Sequence, residues 1–255
     1  MQLDGYAGPT SIEEAYRLYQ QEQGSVLLGG CTFLNRIGKA AGTGIDLSGL
    51  GLDVISQTKD TLKIGAGVTF SQLERECGAH FGGVLKKALP ALGAPLKNII
   101  TVGGTIGARL GMSDLLTLLL ALRAEAVLHA NGTMPLESYL ASPPKRDIIT
   151  AVHVPLFVTR AAFTSFRNAS SAPPILHVAV GEVHGTLAVA VGARPGVAKL
   201  SPKAAAYMLG GGTAREAGRA AAMELEFKND MNASGEYRAL LCETLVERTL
   251  QEAGL

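Results

Sequence analysis

Two glycine pairs, each placed after an apolar stretch, constrain this chain more than any other feature. The first lies in Val26-Leu27-Leu28-Gly29-Gly30-Cys31-Thr32-Phe33, a strand-like run that ends in adjacent glycines. The second lies in Thr101-Val102-Gly103-Gly104-Thr105-Ile106-Gly107, between a proline-containing loop from Gly93 to Asn98 and an apolar run opening at Asp114. Adjacent glycines carry no side chain, so the main chain can approach another group closely. Where neighbouring peptides turn their N–H groups inward, such a loop cradles phosphate. Two of them in one domain could hold a pyrophosphate from both sides. Either loop alone reads more simply as a tight turn, because the chain has 31 glycines and short motifs match by chance.

Composition narrows the possibilities. A chain of 255 residues has room for one large domain or two small ones, and an apolar content of 47% supplies a substantial core. Charge is balanced at 23 basic to 22 acidic residues, which points away from a nucleic-acid surface. No basic n-region leads an apolar h-region at the start. The longest apolar run, Leu115 to Leu122, is broken by Thr117 and is too short to span a bilayer. A cytoplasmic location without a membrane partner is expected. Cys31, Cys77 and Cys242 lie far apart with no C-x-x-C, and no H-E-x-x-H occurs, so no iron–sulfur or zinc site is expected. Cys31 reads as a small hydrophobe. His177 and His184 read as ordinary surface or core residues.

Punctuation along the chain gives an alternating pattern. Thr10-Ser11 caps a helix through about Gln20, and Ser25 to Leu28 is a short buried strand. Ile45 to Leu47 is another strand. Asp53 to Gln57 and Thr61 to Gly67 form a hairpin, and Thr69 or Ser71 caps a helix. Gly82 to Leu92 reads as helix broken at Pro90. Ser113-Asp114 caps an apolar helix through Leu122. Ala124 to His129 and Ile148 to Val154 are strands, with a turn at Asn131-Gly132 and a short helix ended by Pro143-Pro144. Ser165 to Pro174 reads as loop. Val178 to Val180 and Thr186 to Val191 form a hairpin, and Ala214 to Leu225 and Glu236 to Ala253 are helices. A boundary near residue 156 separates an α/β domain, 1–155, from a smaller α+β domain, 156–255. Neither G-x-G-x-x-G at a strand–helix turn nor G-x-x-x-x-G-K-[ST] is present, so a dinucleotide would not be held as in a Rossmann fold.

Four motifs in order resemble the flavin subunit of molybdenum hydroxylases of the xanthine dehydrogenase and carbon monoxide dehydrogenase type. Leu28-Gly29-Gly30-Cys31-Thr32-Phe33 resembles the family's A-G-G-T-[DN]-L, and Thr101-Val102-Gly103-Gly104-Thr105-Ile106 its T-I-G-G-N loop. Leu62 to Thr69 resembles L-x-I-G-A-x-V-T, and Asp114 to Leu122 resembles D-x-x-x-x-L-L-A-L. Gly192-Ala193-Arg194-Pro195 and Glu236-Tyr237-Arg238 fall where the family's C-terminal domain carries similar patterns. Cys31, Thr32 and Thr105 replace the usual Thr, Asp or Asn, and Asn, and Ser165 stands where the family often has a Lys in F-x-K. These departures keep a main-chain cradle and remove some side-chain hydrogen bonds.

The resemblance implies a non-Rossmann, two-lobed FAD-binding domain followed by a small α+β domain. It implies an electron-transfer subunit that takes electrons from iron–sulfur clusters of one partner, beside a molybdopterin-binding large subunit, and passes them to NAD⁺ or another acceptor. The implied FAD contacts are Leu27, Leu28, Gly29, Gly30, Cys31, Thr32 and Phe33, then Thr101, Val102, Gly103, Gly104, Thr105 and Ile106, with Arg109 near the pyrophosphate and Asp114 on the ribityl hydroxyls. No general base or nucleophile is expected, because the organic chemistry belongs to the cofactor. Two other readings share the pattern. One is a stand-alone flavin reductase like that acting on UDP-N-acetylenolpyruvylglucosamine, and the other is a flavin-free scaffold subunit.

Overall fold

The computed structural model describes residues 2–34, 41–89, 94–170 and 172–255. It is a mixed α+β chain. The elements run β1 (Leu3–Ala7), α1 (Ile12–Gln21), β2 (Val26–Leu28), β3 (Ala41–Asp46), β4 (Ile55–Gln57), β5 (Thr61–Gly65) and α2 (Phe70–Cys77). There follow α3 (Val102–Gly107), α4 (Asp114–Ala121), β6 (Glu125–Leu128), β7 (Gly132–Pro135), α5 (Leu136–Ala141) and β8 (Ile149–Pro155). The C-terminal part holds β9 (Val158–Arg167), β10 (Pro174–Val183), β11 (Thr186–Gly192), β12 (Lys199–Leu200), α6 (Pro202–Leu209), α7 (Ala214–Glu224) and α8 (Gly235–Glu252). Two compact units result, and neither is continuous in sequence. The first comprises 1–76, 92–108 and 125–154, and the second 77–91, 109–124 and 155–255.

The first unit contains a parallel sheet of order β1-β3-β2 and a five-stranded sheet of order β4-β5-β8-β6-β7. Ser11 starts α1 by accepting from the Glu14 amide at 3.1 Å, and the Glu14 carboxylate returns to the Thr10 amide at 2.8 Å. This reciprocal cap satisfies two amides that the first helical turn leaves open. Ala15 of α1 then packs on Ile45 and Ile148, with Tyr16, Tyr19 and Leu27 around them. Arg146 closes the other end of α1. Its guanidinium donates to the Tyr19 carbonyl at 2.7 Å, to the Gln23 carbonyl at 3.1 Å and to the Glu22 carbonyl, and lies 4.0 Å over the Tyr19 ring. Those carbonyls have no partner within the helix, and a cation is favoured at the negative end of its dipole.

In the second unit the sheet order is β12-β11-β10-β9, antiparallel throughout. Nearly every residue of β10 is buried, because both faces are covered. Leu176, Val178 and Val180 enter an apolar cluster with Ala204, Ala217, Cys242, Leu245 and Val246 of α6 to α8. The alternate residues His177 and Gly181 meet α4 instead: a Cβ on Gly181 would lie 2.5 Å from the Ala121 carbonyl oxygen. All eight residues of α4 are buried. Arg238 of α8 is 1% exposed and ties three segments together, donating to the Ile175 and Lys228 carbonyls at 3.0 and 2.8 Å and to Asp230 at 2.7 Å.

Burial pushes the Cys242 thiol up from 9.0 to about 12. Between these values the unfolded chain has released a proton that the folded chain keeps, so stability falls as pH rises through that window and is unaffected below it. Urea denaturation at about pH 8 and about pH 10.5 is expected to show a larger loss for the wild type than for Cys242→Ala. Equal losses in the two proteins would assign the alkaline sensitivity to other groups.

Several expectations need correction. Residues 165–167 are not loop: β9 continues to Arg167, pairing Ser165 with His177 and Phe166 with Leu176. The polar residues there face a buried polar partner set rather than solvent, so their polarity misleads. The first strand and α6 were not anticipated, although Ser201 with Pro202 is a cap followed by proline at the first helical position. The stretch after Thr101 is a short helix, α3, not an open loop. A 3-10 turn at His80–Gly83, with Phe81, Gly82 and Gly83 all at positive φ, and a helical turn at Val84–Lys87 replace the helix expected from Gly82. The break expected at Pro90 lies outside the described residues.

Candidate functional site

The first glycine stretch leaves the carboxyl end of β2, an edge strand of the parallel sheet. Leu27 and Leu28 pair with Ile45 and Asp46 of β3, and the Leu47 amide donates to the Leu28 carbonyl at 3.0 Å. Gly29 and Gly30 then pass against the segment that enters the second stretch. A Cβ on Gly30 would lie 1.5 Å from the Ile99 carbonyl oxygen, and one on Gly29 would lie 3.2 Å from Thr101 Oγ1. The two stretches are therefore brought together, and Gly30 is the residue that permits it. Cys31 follows at φ 56, a conformation that costs a residue with a side chain about 1–2 kcal/mol. Its thiol donates to the Gly29 carbonyl at 3.3 Å, and the Thr32 hydroxyl to the Gly30 carbonyl at 3.2 Å. Burial, with the Asp46 carboxylate adding to it, raises the Cys31 thiol above its ordinary value and keeps it protonated. Among the described residues, the amides of Gly29, Gly30, Cys31 and Thr32 donate to no main-chain carbonyl. Phe33 is half-buried at the end of the stretch.

The second stretch is built differently. Val102 donates to the Val68 carbonyl at 2.9 Å, Gly103 to the Ala66 carbonyl at 2.8 Å and Thr105 to the Thr101 carbonyl at 3.0 Å. The Gly104 amide is capped by Thr101 Oγ1 at 3.1 Å. Gly103 is glycine for packing, since a Cβ there would come 2.5 Å from Ala66 Cβ. Val102, Thr105 and Ile106 are buried, and the Thr105 hydroxyl donates to the Thr101 carbonyl at 2.9 Å. All four amides from Val102 to Thr105 already have acceptors inside the protein. The cradle of open amides lies in the first stretch, while the second supplies a rigid wall against it.

Arg109 and Asp114 belong to the second unit. Arg109 sits at φ 48 in the connection between α3 and α4. Ser113 caps α4, accepting from the Leu116 amide at 3.2 Å, which frees the Asp114 side chain. That carboxylate is 3% exposed and is held on one oxygen by Arg167 and on the other by His177 Nδ1. An ionised carboxylate only accepts, so Nδ1 carries the proton. His177 Nε2 lies 3.3 Å from the Thr117 hydroxyl, and the Phe163 ring meets the imidazole edge-on. Gly192 makes room for this pair: a Cβ there would lie 2.1 Å from His177 Nε2 and 2.4 Å from Thr117 Oγ1. Beside His177 in the sheet, Ser165 Oγ is buried and has no hydrogen-bond partner among the described residues.

His177, read as an ordinary surface or core residue, is buried in the core, but its pairing with Asp114 and Thr117, and that of Arg167 with Asp114, were not anticipated. The only signal was a single imidazole inside the otherwise apolar run Ile175 to Val180. No group of three or more His, Cys, Asp or Glu among the described residues could hold a metal ion, and none of the helices there is long and apolar enough to cross a membrane.

Comparison with known proteins gives the arrangement a context. The chain is 27% identical over 280 residues to the nicotine 6-hydroxylase medium subunit of Paenarthrobacter nicotinovorans, covering 98% of this chain and 96% of that one. It is 35% identical over 153 residues to the uncharacterized protein YgfM of Escherichia coli (strain K12), and that match spans 56% of each, so it covers little more than half the length of that relative. The fold is that of a chain in carbon monoxide dehydrogenase from Hydrogenophaga pseudoflava, with a TM-score of 0.87 over 99% of this chain and 97% of that one, at 22% identity. Residues 1–157 match the family described as the FAD binding domain in molybdopterin dehydrogenase, and the chain belongs to that family.

Proposed function

We propose that the chain is the flavin-bearing subunit of a molybdenum hydroxylase, with FAD held at the first glycine stretch. The observation that supports this most directly is the set of open amides from Gly29 to Thr32, fixed by the contact of Gly30 with Ile99. Such amides suit a pyrophosphate, and the protonated Cys31 thiol adds no negative charge against it. The residues present therefore fit FAD. Arg109 and Asp114 are retained as further contacts on the strength of the family resemblance, with residues 1–155 as the FAD-binding domain and 156–255 as the C-terminal domain. When bound, FAD supplies the capacity to take up electrons and pass them on.

The partners in this reading are an iron–sulfur subunit and a molybdopterin-binding large subunit in the cytoplasm, with NAD⁺ or another acceptor as the electron sink. The absence of a cysteine framework in this sequence agrees with clusters carried elsewhere. The test is to express the chain with the genes for its candidate partners, isolate the complex by size exclusion and release its flavin. One complex containing about one FAD per chain is expected. A colourless chain that still assembles would replace this reading with the scaffold one, and a flavin-bearing monomer that reduces a nucleotide-sugar substrate would replace it with the reductase one.

A further inference from the structure

One side of α8 is committed to the core of the second unit, through Cys242, Leu245, Val246 and Leu250. The opposite side carries Glu236, Tyr237, Leu240, Thr244, Glu247 and Arg248. At about 100° per residue these six fall within about a third of the helix circumference. Tyr237 is 43% exposed and Leu240 64%, so the middle of this stripe is apolar and faces outward. The stripe is also preformed. Ser234 caps the helix by accepting from the Tyr237 amide at 3.1 Å, and the Asn229 side-chain oxygen accepts from the Gly235 amide at 2.7 Å. Gly218 lets α7 lie close beside it, since a Cβ there would come 2.4 Å from the Glu243 carbonyl oxygen. A surface already fixed loses less conformational freedom on binding.

Its charges are ordered along the helix. Arg219 takes up Glu243 at 2.9 Å, whereas Glu236, Glu247 and Arg248 make no ion pair among the described residues. An acid therefore stands at the start of the stripe and a base about 18 Å further along it, with Leu240 and Thr244 between them.

We propose that this face binds a second copy of the chain, with the two α8 helices packed antiparallel about a two-fold axis near position 242. Such an interface is isologous, so each contact occurs twice. Glu236 stands opposite Arg248 of the second copy, Leu240 opposite Thr244, and the Tyr237 hydroxyl has Glu247 as its acceptor. Parallel packing would set Glu236 against Glu236 and Arg248 against Arg248, and like charges face to face select against it. Opposed helix dipoles favour the same antiparallel choice. One helix face is small for an interface, so the dimer is weak and forms with rising concentration. The inference goes beyond the flavin reading and does not depend on it.

Sedimentation velocity of the full chain between about 1 and about 200 μM tests this. The 26.5 kDa chain is expected to pass from monomer to dimer across that range. Leu240→Glu and Arg248→Glu each alter an exposed side chain and should leave the circular dichroism unchanged and the chain monomeric throughout. Should Leu240→Glu fail to fold, Arg248→Glu carries the same comparison. Exchanging the charges, Glu236→Arg together with Arg248→Glu, should restore the dimer, an outcome that a merely structural role for either residue does not produce. A wild-type chain that stays monomeric overturns the proposal. A dimer that survives both single variants, or a charge exchange that restores nothing, overturns it as well. A chain monomeric alone whose α8 face is protected from exchange only in a complex with other subunits assigns the face to one of them and overturns it too.

Discussion

Gly30→Ala is expected to abolish FAD retention while the chain remains folded. The added methyl carbon would sit 1.5 Å from the Ile99 oxygen and 2.7 Å from its carbonyl carbon. A Cβ has no rotamer by which to escape, and both atoms it meets are main chain. The segments at 29–32 and 99–101 must separate by more than an ångström to relieve the contact, and the open amides move with them. Hydrogen bonds weaken steeply when distance and angle are lost together. An affinity loss of roughly a hundredfold, or about 3 kcal/mol, is expected. Gly49→Ala is the matched control, because nothing lies within 4 Å of a Cβ there. Flavin released per chain gives the result, and circular dichroism shows whether the fold survives. A folded Gly30→Ala chain with its full complement of FAD would move the cradle elsewhere.

Asp114→Ala is expected to lower the stability of the apoprotein by about 3–5 kcal/mol, among the largest effects of any single substitution outside the glycine stretches. It leaves the His177 side chain, 0% exposed, and the Arg167 guanidinium, 17% exposed, without their common acceptor. Much of that loss is the penalty for a cation and a ring N–H left unpaired in the interior. Asp114→Leu combined with His177→Leu should recover part of the stability, because removing both polar partners is less harmful than removing one. Urea denaturation reads the stability, and a separate FAD titration below the unfolding transition reads any contact of this carboxylate with the cofactor. If Asp114→Ala melts like the wild type, the ion cluster contributes little. If FAD affinity also falls, the residue serves both the interior and the flavin.

Much of this was legible in the sequence wherever local rules decide. Ser11 and Ser113 cap helices as their types and spacing require, and the His184-Gly185 turn closes the β10–β11 hairpin with both residues at positive φ. The close approach of the two glycine stretches was foreseeable from their composition, although their unlike use was not. Which amides stay open depends on Val68 and Ala66, just after β5, arriving opposite Val102 and Gly103, and a contact of that kind between distant segments leaves no trace in the motif itself. The partners of Asp114 were hidden for the same reason, standing 53 and 63 residues away. The end of β9 was misread because polar residues in a strand signal solvent unless a buried partner such as His177 is known to face them.

The placement of α4 has a consequence for how the chain comes to be made. Every residue of that helix is buried, and β10, which packs on it, begins only at Pro174. About fifty residues separate the helix from that strand, and translation at about 5–20 residues per second puts several seconds between them. During that interval the ribosome presents a leucine-rich helix with no finished surface to receive it. Folding of the second unit must therefore wait until most of the polypeptide has emerged. The early glycine-bearing unit, whose intervening 109–124 segment belongs elsewhere, has to close around a looped-out, sticky excursion.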